Sequence, residues 1–199
     1  MFSKKVLFFA VAALIGGLVY MGWKLTSRSG YESAQYTVVE SDGAFELREY
    51  PDLMLASTEM GTRVQSDDGS FGRLFQYISG ANESNQKVAM TTPVFMERKS
   101  DQSNGQMGFV IPKEVAESTI PQPANEKVHV SKRAGGRFAV IRFAGRSGVE
   151  TQIAQQAKLD SWIQEQGYVA AGTPEIASYD PPWTPGPLRR NEILIRIEL

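Results

Sequence analysis

The sequence contains no cysteine among its 199 residues and only one histidine, His129. Without cysteine the chain can form no disulfide, thiolate nucleophile, iron–sulfur cluster or cysteine-ligated iron. One histidine excludes a bis-histidine iron centre, a histidine-rich zinc site and a histidine relay within the chain. Acidic residues are scattered, so no local stretch predicts a metal site. Nucleotide-binding and nucleophile-elbow motifs are absent as well, and no enzyme class is indicated.

The chain also lacks a surplus of basic charge. Its formal net charge is −1, and four of its 21 basic residues precede residue 31, where there are no acidic ones. The remainder therefore carries 17 basic against 22 acidic residues, which argues against binding to a phosphate backbone. A hydrophobic content of 42% over this length predicts one well-buried domain.

The first 30 residues predict a membrane anchor. An uncharged run of 18 residues covers 6–23, close to the ~20 residues that cross a hydrocarbon core. The run lacks the small residues of a signal-peptidase site, so we expect an uncleaved signal anchor at 1–30 and one domain at 31–199. Lys4 and Lys5 favour a cytoplasmic N terminus, which would place the domain on the extracytoplasmic, periplasmic side.

The domain opens with a strand pattern and then a helix pattern. Strands are predicted at 36–40, 44–50 and 53–60, with a hairpin turn at Asp42-Gly43. In the second strand Phe45 and Leu47 alternate with polar neighbours, which predicts a single buried face. Spacing of i, i+3, i+4 and i+7 then predicts a helix with one apolar face, formed by Phe71, Leu74, Phe75 and Ile78.

This order recurs in the second half of the domain. Further strands are predicted at 87–97, 107–111, 128–132, 138–143, 175–179 and 192–198, a second helix at 149–166, and a crossing connection at 112–125. The order of strands, helix and strands therefore occurs twice. Such pseudo-duplicated halves predict an α+β fold in which two helices pack against one curved antiparallel sheet.

Two distant motifs connect the chain to a known family. They read Lys87-Val88-Ala89-Met90-Thr91-Thr92-Pro93-Val94 and Tyr179-Asp180-Pro181-Pro182-Trp183-Thr184-Pro185, the latter running into Arg189-Arg190-Asn191-Glu192. Together they resemble the two signature stretches of the SOUL haem-binding family over about residues 36–199. The resemblance implies a distorted, β-barrel-like antiparallel sheet with two flanking helices, and noncatalytic binding of haem or a related tetrapyrrole.

The candidate ligand site lies on the first predicted helix. Its apolar face is either ordinary core packing or one wall of a hydrophobic groove, and the resemblance implies that this helix and the strands beside it contact the tetrapyrrole. The candidate residues are Phe71, Leu74, Phe75 and Ile78 for apolar contact, Met90 beside them, and the basic residues Arg73 and Lys87 as partners of a propionate.

Axial ligation is not expected. A thioether can coordinate iron, but Met90 sits among apolar residues, where packing is the favoured interpretation. His129 alternates with Val128 and Val130, so we expect it to face solvent. Haem held without a histidine ligand would bind weakly and exchange readily, which suits a carrier, buffer or sensor. The pair Arg189-Arg190 could clamp a carboxylate or anchor its loop, and we favour the structural role.

Two other functions remain open from the sequence. The first is a membrane-tethered interaction or structural module without a ligand, in which both motifs are architectural. The second is an effector-binding domain for bulky apolar cations, because the doubled strand–helix–strand plan also resembles such domains of bacterial regulators. That ligand would need a buried carboxylate facing the groove, and the sequence assigns none.

Overall fold

The computed structural model describes residues 30–61, 68–97, 105–181 and 183–198. The predicted anchor segment, residues 1–30, lies outside these ranges except for Gly30. No helix within the described ranges is both long and apolar enough to cross a membrane.

The helices and strands follow the predicted order with shifted ends. The strands are β1 (Glu32–Ser33), β2 (Thr37–Asp42), β3 (Phe45–Tyr50), β4 (Leu53–Glu59), β5 (Thr91–Thr92), β6 (Val94–Glu97), β7 (Gln106–Val110), β8 (Val128–Arg133), β9 (Gly136–Ala144), β10 (Val169–Ser178) and β11 (Arg190–Glu198). The helices are α1 (Ser70–Ile78), α2 (Lys113–Ala116) and α3 (Val149–Glu165), and a 3₁₀ turn covers Gly186–Leu188. The fold is therefore α+β, as predicted, with a short third helix inside the connection at 112–125.

Nine strands form one antiparallel sheet in the order β2-β3-β9-β11-β10-β6-β7-β4-β8. From its centre, between β10 and β6, the order reads β10-β11-β9-β3-β2 in one direction and β6-β7-β4-β8 in the other. In the sequence, the first of these halves has strands on both sides of α3, and the second half has strands on both sides of α1. Among the described residues β2 and β8 each pair on one side only, so the sheet is open. The expected barrel-like closure is wrong.

Both long helices cover the same face of the sheet. Helix α1 packs over a cluster that includes Leu74, Tyr77, Ile78, Phe109 and Val128. Helix α3 packs over a second cluster that includes Leu159, Trp162, Ile141 and Ile193. The opposite face carries a third cluster that spans both halves of the chain and includes Tyr50, Leu55, Phe95, Phe138 and Leu194.

The predicted strand at 87–97 is divided in two. Only β5 and β6 are extended, and Pro93 lies between them. Proline has no N–H to give to a ladder, which explains why pairing stops at this residue. At the other end of the chain, β10 begins at Val169, six residues earlier than predicted.

Candidate functional site

Helix α1 carries most of the residues that the sequence indicates as a pocket wall. Its start is stabilised by Asp68, whose Oδ1 accepts a hydrogen bond from the Ser70 backbone N–H at 2.9 Å. Burial works to raise the pKa of the Asp68 carboxyl, but hydrogen bonds from Ser70 and Gly61 outweigh it and lower that pKa. Asp68 thus stabilises the first turn of α1 from the position before the N-cap residue Gly69.

The structure divides the predicted apolar face of α1 into a buried part and an exposed part. Leu74 and Ile78 lie in the core together with Tyr77. Phe71 and Phe75, in contrast, are 37% and 50% exposed. Leu74 and Ile78 are therefore core residues, and Phe71 and Phe75 are the members of the predicted set that present apolar surface.

Phe71 and Phe75 form an ordered pair of rings. Their centroids are 6.1 Å apart with an interplanar angle of 12°. Phe71 also meets Phe109 of β7, with centroids 5.2 Å apart and the rings inclined by 63°. Because Phe109 is buried, this contact anchors the pair to the sheet. Exposed apolar surface of this kind is typical of interaction sites.

Three half-buried methionines lie on the helix-covered face of the sheet. Met90 and Met107 are half-buried and pack against the α1 cluster. Met96 is the cross-strand partner of Met107 and packs against the α3 cluster, so this pair lies where the two helix-covered halves meet. Thioether side chains adapt their shape to apolar partners. We call Phe71, Phe75, Met90, Met96 and Met107 the aromatic–methionine surface.

Arg73 lies on the other side of α1 and has a structural role. Its Nε donates to Thr58 Oγ1 at 3.1 Å, and its Nη2 donates to the Glu59 carbonyl oxygen at 2.7 Å. Its Nη1 donates to the Asp68 carbonyl oxygen at 3.2 Å. At about 100° per residue Arg73 is turned by roughly 160° from Phe75 around the helix axis. It therefore ties α1 to the end of β4 and does not border the aromatic–methionine surface.

Lys87 lies beside the C-terminal end of α1. It is exposed, and its neighbour Val88 donates from its backbone N–H to the Ile78 carbonyl oxygen at 2.8 Å. Two basic residues were predicted at the site. Arg73 is held by hydrogen bonds within the fold, whereas Lys87 is exposed to solvent next to α1.

His129 lies in β8 and is exposed, as predicted. Together with Arg73 and Lys127 it lines a polar cavity of about 400 Å³, on the side of α1 away from the ring pair. Among the described residues, no group of three or more histidine or acidic side chains could hold a metal ion.

The second motif forms a buried ionic network instead of an open clamp. Arg190 donates from Nε and Nη2 to Glu192 Oε1 at 3.0 and 2.6 Å. Arg48 donates to the two oxygens of the same carboxylate at 2.7 and 2.9 Å, and Tyr179 donates its hydroxyl at 2.7 Å. The carboxylate that the arginine fork binds is therefore internal.

The pKa shifts in this network have opposing causes. Burial works to raise the pKa of Glu192, but the hydrogen bonds and charge of Arg48, with Arg190, outweigh it and lower that pKa. Burial, reinforced by the Glu192 charge, raises the pKa of Tyr179. Burial also raises the pKa of Tyr50 to about 12. The carboxylate is therefore ionised and both tyrosines are neutral at ordinary pH, as a stable structural network requires.

Arg48 was not expected in the interior. The alternation in β3 predicted that only Phe45 and Leu47 face inward, whereas Arg48 is fully buried and Glu46 is 6% exposed. Both faces of β3 are covered, one by α3 and one by the third cluster, so its polar residues are buried too. One residue in the sequence could have indicated that this second face of β3 is buried. It is Tyr50, an aromatic residue on the same face as Arg48 and Glu46.

The first motif also has a structural role. Thr91 donates its hydroxyl to the Val110 carbonyl oxygen at 2.5 Å. Thr92 and Ser33 join their hydroxyls at 2.9 Å, and Ala34 donates its N–H to the Thr92 carbonyl oxygen at 2.8 Å. These bonds attach the start of the domain to the β5–β6 segment.

The loop before β11 is closed by hydrogen bonds to its own carbonyl oxygens. Arg189 donates from Nε to the Thr184 carbonyl oxygen at 2.8 Å. Thr184 donates its N–H to the Pro181 carbonyl oxygen at 3.0 Å. This agrees with the predicted role of Arg189 as a loop anchor.

Sequence comparison identifies related proteins. The family profile described as "SOUL heme-binding protein" matches residues 31–196. "Heme-binding protein 1" of Xenopus tropicalis is 28% identical over 189 residues, with 91% of this chain and 93% of that protein covered. "Heme-binding protein 2" of Homo sapiens is 29% identical over 159 residues, with 74% and 71% covered.

Structural comparison finds the same fold in proteins of distant sequence. The EcmrR C-terminal domain superimposes with a TM-score of 0.58 at 14% identity, covering 82% of this chain and 98% of that one. A structure described as a hydrolase from Listeria innocua gives a TM-score of 0.57 at 10% identity, with 80% and 94% covered. At such identities the likeness concerns the fold alone.

Proposed function

The chain belongs to the SOUL heme-binding protein family, and from this membership we propose that it binds haem or a related tetrapyrrole without catalysing a reaction. The observation that supports the proposal most strongly is the stacked, half-exposed ring pair of Phe71 and Phe75 on α1. The ring pair lies on the same face of the sheet as the three methionines, and we propose that they act together as an apolar platform.

The chemistry of this platform fits a porphyrin. A porphyrin is a flat apolar disc with two carboxylates at one edge, and it gains most from contact with aromatic rings and thioethers. Lys87 is exposed beside α1 and supplies the charge for a propionate. Met90 contributes mainly apolar contact, since it packs against the α1 cluster.

The proposed binding is weak and exchangeable. The chain has no cysteine, and His129 lies on the side of α1 away from the ring pair. Without a strong axial bond the affinity would come from apolar burial. We therefore propose a carrier, buffer or sensor and not an enzyme.

We further propose that residues 1–30 anchor the domain on the extracytoplasmic side of a membrane. The 18-residue uncharged run at 6–23 supports this. Two reporter enzymes are fused after the last residue, one that is active only outside the cytoplasm and one that is active only inside it. The first should be active and the second inactive. Activity of the cytoplasmic reporter would refute the orientation.

The binding proposal is tested by titrating the purified protein with haemin and with protoporphyrin IX. We expect a saturable Soret change with haemin and saturable fluorescence quenching with protoporphyrin, both at micromolar concentrations. Because no iron ligand is proposed, the two affinities should be similar. Phe75→Ala should weaken both by about tenfold, equivalent to about 1.4 kcal/mol, while His129→Ala should change neither by more than about twofold.

Two results would refute parts of this proposal. Absence of saturable binding by either porphyrin would favour the structural or interaction module. A loss on His129→Ala equal to or larger than the loss on Phe75→Ala would establish histidine ligation instead of apolar capture.

A further inference from the structure

A second cavity lies on the face of the sheet opposite α1 and α3. Its volume is about 180 Å³, and its walls come from β4, β6, β7, β8 and β10. It lies away from the aromatic–methionine surface, with the sheet itself between them. The cavity is lined by no residue of Met90-Thr91-Thr92-Pro93 or of Arg189-Arg190-Asn191-Glu192.

Arg133 supplies the cavity with an unused hydrogen-bond donor. Its side chain is only 7% exposed, and its Nε and Nη2 both donate to Glu175 Oε2, at 2.9 and 2.6 Å. The guanidinium carbon lies 4.5 Å from the Phe95 ring centroid and 4.3 Å from that of Phe138. The remaining nitrogen, Nη1, is buried and has no acceptor among the described residues. Leaving a buried donor unpaired destabilises a protein, so a bound acceptor would be favoured here.

The charges around the cavity favour an uncharged ligand. Glu175 compensates Arg133, and Lys132 pairs with Asp52 at 2.9 Å. Glu97 also lines the cavity and forms no ion pair with a residue in the described ranges. Glu97 would therefore repel an anion, and a simple cation would offer no acceptor to the buried Arg133 Nη1. A neutral molecule that accepts a hydrogen bond from Arg133 and donates one to Glu97 satisfies both.

The remaining walls favour hydroxyl groups. Ser57 and Ser131 both line the cavity, and their hydroxyls are 3.4 Å apart, a distance at the long limit for a hydrogen bond. Each hydroxyl is thus able to donate to or accept from a further hydroxyl. Leu55 and Phe95 provide apolar contact for a carbon skeleton.

The size of the cavity limits the ligand. The cavity volume is about 180 Å³. This is below the roughly 300 Å³ at which pockets for drug-sized ligands begin, so a tetrapyrrole is excluded. Gly108 keeps the space open, because a Cβ at this position would lie 3.1 Å from Leu55 Cδ1 and 3.4 Å from Ser57 Oγ.

We propose that this cavity binds a small uncharged polyhydroxylated molecule, with Arg133 Nη1 donating to one ligand oxygen and Glu97 accepting from a ligand hydroxyl. The site is independent of porphyrin binding, since it occupies the other face of the sheet.

The proposal is tested by titrating the full chain with glycerol and with myo-inositol while following the Nε–H resonance of Arg133 by NMR. The resonance is assigned by its loss in Arg133→Lys. Both polyols should shift it saturably at millimolar concentrations. Sodium acetate and tetramethylammonium chloride, at the same ionic strength as each other, should produce no saturable shift.

Variants then locate the site. Gly108→Ala narrows the cavity and should weaken myo-inositol binding by at least about tenfold, while leaving the haemin titration unchanged. Ser131 lines the cavity and is exposed on edge strand β8. Ser131→Val therefore provides the same test if Gly108→Ala does not fold. The control is Gly72→Ala, because a Cβ at Gly72 would meet no described atom within 4 Å apart from its chain neighbours and the backbone of its own helix.

Several outcomes would overturn the proposal. Absence of a saturable shift with either polyol would mean that the cavity holds only water. Tighter binding of acetate or tetramethylammonium would assign the site to a charged ligand. An unchanged myo-inositol affinity in a folded Gly108→Ala or Ser131→Val variant would place polyol binding elsewhere.

Discussion

Glu192 is the residue on which the buried charges of the sheet converge. It is fully buried and receives hydrogen bonds from Arg48, Arg190 and Tyr179. Burying charges is costly unless they are paired, and removing one partner leaves the others uncompensated. The Arg-Arg-Asn-Glu motif is therefore explained by architecture.

Replacing this carboxylate should destabilise the protein strongly. We expect Glu192→Gln to lower the free energy of unfolding by about 3–5 kcal/mol, because it leaves Arg48 and Arg190 without their shared counter-charge. Urea denaturation followed by circular dichroism measures the change. The control is Glu117→Gln, in an exposed pair with Lys113, whose loss should be hardly measurable. Equal effects of the two substitutions would contradict the structural role.

The same carboxylate should also contribute to acid unfolding. Its pKa is lowered in the folded state, so its stabilisation is fully present above the unfolded pKa of about 4.3 and is lost as the pH falls through the lower folded value. The free energy of unfolding should therefore decrease below about pH 4.3. Glu192→Gln should show a shallower decrease over that range, and an unchanged slope would contradict the assignment.

Helix α1 shows what the sequence could and could not predict at the scale of an element. The i, i+3, i+4 and i+7 spacing correctly indicated the helix, but the buried face is centred on Ser70, Leu74, Tyr77 and Ile78. Tyr77 fits the core because its hydroxyl donates to the Pro121 carbonyl oxygen at 2.8 Å. Periodicity alone cannot show that a tertiary hydrogen bond allows Tyr77 into the buried face, which leaves Phe71 and Phe75 exposed beside it.

The strands show the same limit. Alternation located most of them, but it could not reveal that β3 is covered on both faces, which depends on the distant residues of α3 and β11. Nor could it show that Met96 and Met107 are cross-strand partners, since register between strands is a property of the folded sheet.

Two substitutions on α1 should separate stability from binding. Leu74 is fully buried, so Leu74→Ala should lower the free energy of unfolding by about 2–5 kcal/mol. Phe75 is half exposed, so Phe75→Ala should lower it by less than about 1 kcal/mol while weakening porphyrin binding. Urea denaturation and haemin titration of both variants test this. A Phe75→Ala variant as unstable as Leu74→Ala would mean that the ring is part of the core.

At the scale of the whole molecule, the two halves depend on each other. The cluster opposite the helices contains Leu55 and Phe95 from the first half and Phe138 and Leu194 from the second. The Arg48–Glu192 ion pair joins residues 144 positions apart. The described domain should therefore unfold as one unit.

The corner between the β3–β4 and β8–β9 turns is a close junction of the two halves. A Cβ on Gly135 would collide with the Tyr50 carbonyl oxygen and lie 2.6 Å from the Pro51 carbonyl carbon. Since these are backbone atoms, Gly135→Ala should destabilise the domain by about 1–3 kcal/mol or more. Gly72→Ala, in α1 with free space around it, should instead stabilise it by about 0.5–1 kcal/mol. Thermal unfolding measures both, and a neutral Gly135→Ala would contradict the close approach.

The central claim, that an apolar platform on α1 captures a tetrapyrrole, is tested most directly by haemin titration of the Phe71→Ala/Phe75→Ala double variant. The matched control is Val39→Ala, an exposed apolar residue on β2, the sheet edge far from α1. The account predicts saturable micromolar binding by the parent protein and by Val39→Ala, and a loss of at least about tenfold in the double variant. Equal haemin affinity in all three proteins would contradict it.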